Sequence, residues 1–130
     1  MYQRLPSCNI AGRHVILELY GVDADLLSDC KTLEELLVKS ASDTGATVLH
    51  SYFHPFGPGC GITGVIALSE SHISIHTWPE HMYAAIDIFM CGDCDPLITA
   101  KHIVSSYFYK SKNGHYQVME IARGTRLSNV

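Results

Sequence analysis

Apolar positions along this chain follow two periods. Arg13 to Tyr20 (RHVILELY) alternates loosely and is rich in branched residues, which predicts a strand after a mobile, proline-containing N-terminus. From Asp23 to Lys39 the apolar residues Leu26, Leu27, Leu33, Leu36 and Leu37 take helical spacing. A second capping site at Asp29-Cys30-Lys31-Thr32 allows that helix to form in two pieces. After Gly45, Ala46 to Phe53 reads as a strand, and Pro55 to Gly64, with two prolines and four glycines, as a loop. Ile66 to Ser69, Ile73 to Trp78 and Tyr83 to Phe89 are short strand-like runs separated by Ser-Glu-Ser-His and Pro-Glu-His, the pattern of an antiparallel meander. Pro96 to Tyr109 is amphipathic and helical, His115 to Ala122 closes as a strand, and the arginine-containing tail is expected to fray.

The order contains no repeated βαβ unit and so predicts an α+β fold, a two-layer sandwich of antiparallel sheet with helices on one face. A chain of 130 residues fits a single domain, 1–130, and has few helices with which to cover the second sheet face. A homodimer is the simple remedy. The composition, 47% hydrophobic and 17% charged, suits a compact fold. The nine Lys and Arg are scattered and the net charge is −4, so no basic stripe for nucleic acid exists. The longest apolar runs fall far short of a membrane span, and residues 1–20 lack the apolar stretch of a secretory signal. An odd count of five cysteines fits a reducing compartment, so a cytoplasmic location is expected.

Residues 69–91, SESHISIHTWPEHMYAAIDIFMC, gather serine, carboxylate, imidazole and thiol within one predicted meander. Ordinary roles exist for each: Ser69, Ser71 and Ser74 as turn or strand hydroxyls, His72 and His76 as packed histidines on one strand face, Cys91 as a small buried hydrophobe. A metal reading takes His72 and His76 with Cys91 and Cys94 as a zinc-binding set. The CxxC also suggests a redox thiol pair, although Pro96 delays the helix that such a motif opens.

The run ESHISIHTWPE, followed by AAIDIF and Cys91-Gly92, resembles the prokaryotic S-adenosylmethionine decarboxylase proenzymes, a pyruvoyl-dependent family. The likeness extends to Gly12-Arg13-His14, Glu18, Ser42 to Phe56, Asp95-Pro96 and Glu120-Ile121. It implies self-cleavage between Glu70 and Ser71 into a chain 1–70 (beta) and a chain 71–130 (alpha) whose first residue becomes a pyruvoyl group. That group would form a Schiff base with the substrate amine and accept electrons as carbon dioxide leaves. His76 is implied as the processing base, Thr63 as a processing hydroxyl, Cys91 as the proton donor, and Glu80 and Phe56 as substrate-binding residues. Ser71 and His76 are five apart, so strict alternation points them to opposite faces of the sheet. The resemblance implies a homodimer of cleaved protomers, four layers deep, in which His76 serves the Ser71 of the other chain.

The chain departs from the family pattern at 55–64. Pro55 replaces a basic residue, the loop is one residue longer with Cys60, and Gly61-Ile62-Thr63-Gly64 stands where the family has Gly-Val-Ser-Gly. The expected reaction is decarboxylation of S-adenosylmethionine to the aminopropyl donor of polyamine synthesis. Arginine or ornithine is the alternative substrate of the same machinery.

Overall fold

The structure, a computed structural model, describes residues 11–107 and 113–124. The expected mobile N-terminus and fraying tail lie outside those residues, as do the last two residues of the expected helix 96–109. Six strands form one antiparallel sheet: β1 (Gly12–Tyr20), β2 (Val48–Pro55), β3 (Ile62–Leu68), β4 (Ser71–Trp78), β5 (Tyr83–Cys91) and β6 (His115–Arg123), in spatial order β2-β3-β4-β5-β1-β6. Among the described residues three α-helices, α1 (Ala24–Leu27), α2 (Cys30–Asp43) and α3 (Pro96–Tyr107), pack against one face. The fold is the α+β two-layer sandwich that the periodicity predicts.

The leucine-rich stretch divides at the second cap. Asp23 accepts from the Asp25 N–H and Asp29 from the Thr32 N–H, so each short helix has one orphan donor satisfied at its start. Leu27, Leu33 and Leu37 then point at the sheet and are fully buried. They meet Val15, Leu17 and Leu19 of β1, Ile66 of β3, Ile73 and Ile75 of β4, and Ile86 and Ile88 of β5 in one core. Alternation follows from this burial. The partners of the buried positions, among them His14, Glu18, His72, His76, Trp78 and Asp87, share the opposite face, and among the described residues no helix covers it.

The expected loop 55–64 is shorter than the proline and glycine content suggests. β2 begins at Val48, later than Ala46, and runs through Pro55, while β3 begins at Ile62; only 56–61 lie between them. Pro55 is tolerated because β2 is an edge strand, where a missing N–H donor need not face a neighbour. A Cβ at Gly61 would strike the Thr77 carbonyl oxygen, so glycine there permits close approach of the chain to β4. Thr63 therefore sits on a strand in register with His76. Ser71 and Cys91 belong to strands as well, at the first residue of β4 and the last of β5.

Thr77 ties these parts together. Its buried hydroxyl donates to the Leu27 carbonyl at 2.7 Å and accepts from the Ile62 N–H at 2.9 Å, joining α1, β4 and the start of β3. Thr77→Val keeps the shape and leaves both groups unpaired. We expect it to lower stability by about 1–3 kcal/mol in urea denaturation. Thr77→Ser should retain most of the stability.

Candidate active site

The β3–β4 hairpin turns on two residues, Ser69 and Glu70, closed by the Leu68–Ser71 pair. The favoured two-residue hairpin turns need positive φ at one or both central residues. Neither Ser69 nor Glu70 takes it; instead Ser71 has φ of 150°, a sparsely populated region for any residue but glycine. Surrounding hydrogen bonds hold this geometry. The Ser69 N–H donates to the Thr47 carbonyl at 2.9 Å, and the Glu70 carboxylate accepts from the Thr47 N–H at 2.9 Å.

The Glu70 carbonyl, which belongs to the 70–71 peptide, receives two donors from one residue. The Cys91 N–H lies at 3.0 Å and the Cys91 thiol at 3.2 Å. Two donors on a carbonyl oxygen favour charge developing there, so this pair can assist attack on the Glu70 carbon. Glu70, Ser71 and Cys91 thus form one cluster at the end of the sheet where β4 begins and β5 ends.

The second cluster lies further along the same strands. The Thr63 hydroxyl and His76 Nδ1 are 3.1 Å apart, and both line a cleft of about 230 Å³ with Phe56, Gly61, Trp78 and Glu80. His76 and Phe56 are exposed. The sequence-derived residues are therefore brought together as two groups, with Glu70, Ser71 and Cys91 in one and Thr63, His76, Phe56 and Glu80 in the other. Five residues of strand, roughly 16 Å at strand rise, separate Ser71 from His76. By register Ser71 shares the helix-facing row with Leu68 and Met90, and His76 lies on the uncovered face.

Between the clusters lies a group that sequence reasoning passed over. Asp87, within the apolar run AAIDIF, accepts from His14 Nε2 at 2.7 Å, from His72 Nε2 at 2.9 Å and from the Ser74 hydroxyl. The Arg123 guanidinium donates to His14 Nδ1 at 3.4 Å, which fixes the proton of a neutral His14 on Nε2. The signal was a carboxylate flanked by Ile86 and Ile88, since a charge there requires partners. A metal ion would accept His14, His72 and Asp87, whose ligand atoms lie within 4.8 Å of one another, but the hydrogen bonds already satisfy them. The zinc set read from the sequence is not assembled: His72 is held by Asp87, His76 by Thr63, Cys91 by the Glu70 carbonyl, and Cys94 by the Gly45 carbonyl. Beside the cleft, Trp78 stacks on Tyr83, Tyr83 on Tyr20 and Tyr20 on His115, with Glu18 accepting from both tyrosine hydroxyls. Burial and that carboxylate push the Tyr83 hydroxyl well above the usual range.

Residues 13–124 match the family model described as S-adenosylmethionine decarboxylase. A protein from Carboxydothermus hydrogenoformans named S-adenosylmethionine decarboxylase proenzyme is 48% identical over 100 residues, 76% of this chain and 78% of its own. A proenzyme of the same name from a Geobacillus strain is 43% identical over 115 residues, 88% of this chain and 89% of its own. The crystal structure of the adenosylmethionine decarboxylase from Aquifex aeolicus superposes with a TM-score of 0.67 at 37% identity, covering 86% of this chain and 91% of that one.

Burial pushes the Asp87 carboxyl up, but hydrogen bonds from Ser74, His14 and His72 outweigh it and hold the group below the usual carboxylate range. A folded value below the unfolded one of about 3.9 means that ionised Asp87 favours the folded state above that pH. The contribution fades as the pH falls through the depressed folded value. Asp87→Asn should therefore cost about 1–3 kcal/mol in thermal or urea unfolding at pH 7, with the gap to the parent protein narrowing in acid.

Proposed function

The chain belongs to the S-adenosylmethionine decarboxylase family, and from that premise we propose that it is a self-processing decarboxylase that cuts itself between Glu70 and Ser71. The observation that carries this reading is the placing of both Cys91 donors on the Glu70 carbonyl, beside a serine held at φ of 150°. In the proposed step the Ser71 hydroxyl oxygen attacks the Glu70 carbonyl carbon, and the peptide C–N bond gives way to an ester C–O bond. The two donors stabilise the oxygen charge, and the strain at Ser71 is relieved as the backbone is released. Loss of a proton from the Ser71 Cα then expels Glu70 as a free carboxylate. The dehydroalanine so formed tautomerises to an imine, and water hydrolyses it with release of ammonia, leaving a pyruvoyl group at the head of residues 71–130.

The residues present suit such a group. Formed at position 71, it would lie where Cys91 closes the end of β5, and it would supply a carbonyl that takes up the substrate amine and the electrons released with carbon dioxide. Cys91 then delivers a proton to the product carbon. Phe56 offers an aromatic surface and Glu80 a carboxylate, both in the cleft with Thr63 and His76, for a cationic substrate carrying a flat base and hydroxyl groups. These features favour S-adenosylmethionine over arginine or ornithine.

The two clusters need a second chain. A two-fold partner packing its uncovered face on this one, as a four-layer dimer, would bring the Thr63–His76 pair of each protomer to the end of the other's sheet, where Cys91 lies on the uncovered face and holds the Glu70 carbonyl beside Ser71. His76 is then the base that takes the Ser71 hydroxyl proton, and Thr63 orients the ring. The four described cysteines are free, which supports a reducing setting such as the cytoplasm.

Denaturing mass spectrometry at neutral pH should find two chains, 1–70 and 71–130, the latter with a blocked N-terminus. Ser71→Ala should remain one chain. Processed protein offered S-adenosylmethionine, arginine and ornithine separately should release carbon dioxide from the first, with a kcat/KM at least about tenfold above the others, a difference of about 1.4 kcal/mol. A persistently intact parent chain would overturn the cleavage reading, and faster release from arginine or ornithine would overturn the substrate.

A further inference from the structure

The CxxC motif read from the sequence is not consumed by the activity proposed above, which uses Cys91 alone. Cys91 ends β5, Gly92 and Asp93 form a turn, and Cys94 stands two residues before α3. Gly92 has φ of 73°, a left-handed geometry that bends the chain tightly and suits glycine. A four-residue turn brings its end Cα atoms within about 7 Å, and disulfides span about 4.4–6.8 Å between Cα atoms. The α3 helix fixes the far side of the turn. Asp95 accepts from the Leu97 N–H at 2.9 Å, and its carboxylate pairs with Arg13 at 2.9 Å, so Cys94 is anchored against β1 as well as β5.

Each thiol is tied only weakly. Cys91 donates to the Glu70 carbonyl at 3.2 Å and Cys94 to the Gly45 carbonyl at 3.4 Å, and both residues are partly exposed. Cys30 belongs to α2 and Cys60 to the 56–61 loop, so neither shares this turn. We propose that Cys91 and Cys94 form a reversible disulfide that switches the active site off when small-molecule disulfides accumulate.

In the first step the Cys91 thiolate attacks a low-molecular-weight disulfide. One S–S bond breaks, a mixed disulfide forms on Cys91, and one small thiol leaves. The Cys94 thiolate then attacks the Cys91 sulfur and expels the second small thiol. The protein thiols lose two protons and two electrons, and the small disulfide becomes two thiols. Burial, with the charges of Glu70 and Asp93 and the neighbouring Cys91, pushes the Cys94 thiol up, so closure quickens as pH rises. The locked sulfur no longer donates to the Glu70 carbonyl and holds no proton for product. Both the cutting of the chain and its later turnover are then lost. The consequence for turnover rests on the reading of Cys91 as proton donor; the bond itself does not.

The full-length protein is equilibrated in buffers of graded glutathione disulfide to glutathione ratio, acid-quenched, alkylated and peptide-mapped, and carbon dioxide release is measured in parallel. The parent protein should show a Cys91–Cys94 link, a loss of activity of at least about tenfold, and full recovery with dithiothreitol. Cys94→Ser, which keeps a donor for the Gly45 carbonyl, should fold and process normally, and thiol treatment should restore any mixed disulfide on its Cys91. It should never give the link. Absence of a 91–94 link in the parent protein, or a pairing that involves Cys30 or Cys60 instead, would overturn the inference even in an active enzyme. A link in a protein that decarboxylates none of the three substrates would support the switch and overturn the assigned reaction.

Discussion

Strand alternation in β4 is the constraint on which the remainder of the structure depends. Ile73, Ile75 and Thr77 must face the helices to be buried, and that leaves His72, Ser74, His76 and Trp78 on the other side. The same rule in β1 and β5 places His14, Glu18, Asp87 and Phe89 beside them. A one-residue slip would turn isoleucines to water and histidines to the core, so the register is fixed by burial and the chemistry is carried with it. Because the period is two and five residues of strand span roughly 16 Å, Ser71 and His76 of one chain stand far apart and on opposite faces. In the proposed two-fold dimer each site would draw its serine from one chain and its histidine from the other.

The hairpin that joins β3 to β4 concentrates strain at Ser71, the residue proposed to react. Its two central residues avoid the positive φ that such turns prefer, and Ser71 takes the distortion. Strain of this kind persists only when surrounding contacts determine it, and here they are named: Thr47 on Ser69 and Glu70, and Cys91 on the Glu70 carbonyl. In the proposed enzyme Cys91 therefore stands at the scissile bond before cleavage and at the reacting carbon afterwards. The thiol that makes it useful also exposes it to Cys94 three residues along.

Much of the fold was legible because burial enforces simple periods. The two-piece helix followed from aspartates at two caps, and the one-sided sandwich from the order of elements. The extent of β2 and β3 was not legible, because proline and glycine mark loops on average, whereas Pro55 lies on a sheet edge and Gly61 permits a close approach that only the tertiary structure reveals. The candidate reactive segment was visible as a run of unusual residues around Ser71. Its division into two clusters was anticipated by counting five residues along a strand, while the Cys91 contact with Glu70 depends on how β5 ends beside the turn. Asp87 was readable in principle as a charge among isoleucines, but its partners come from β1 and β4 and cannot be identified from local sequence.

The central claim is that each reactive bond is completed by the other chain, and mixing two disabled chains tests it directly. Ser71→Ala retains His76, and His76→Ala retains Ser71. Co-expressed with distinguishable tags, they should yield cleavage of the His76→Ala chain only, at Glu70-Ser71, while either variant expressed alone stays largely intact. If neither chain is cut in the mixed dimers, or if His76→Ala alone cleaves as fast as the parent protein, the two-chain account is contradicted.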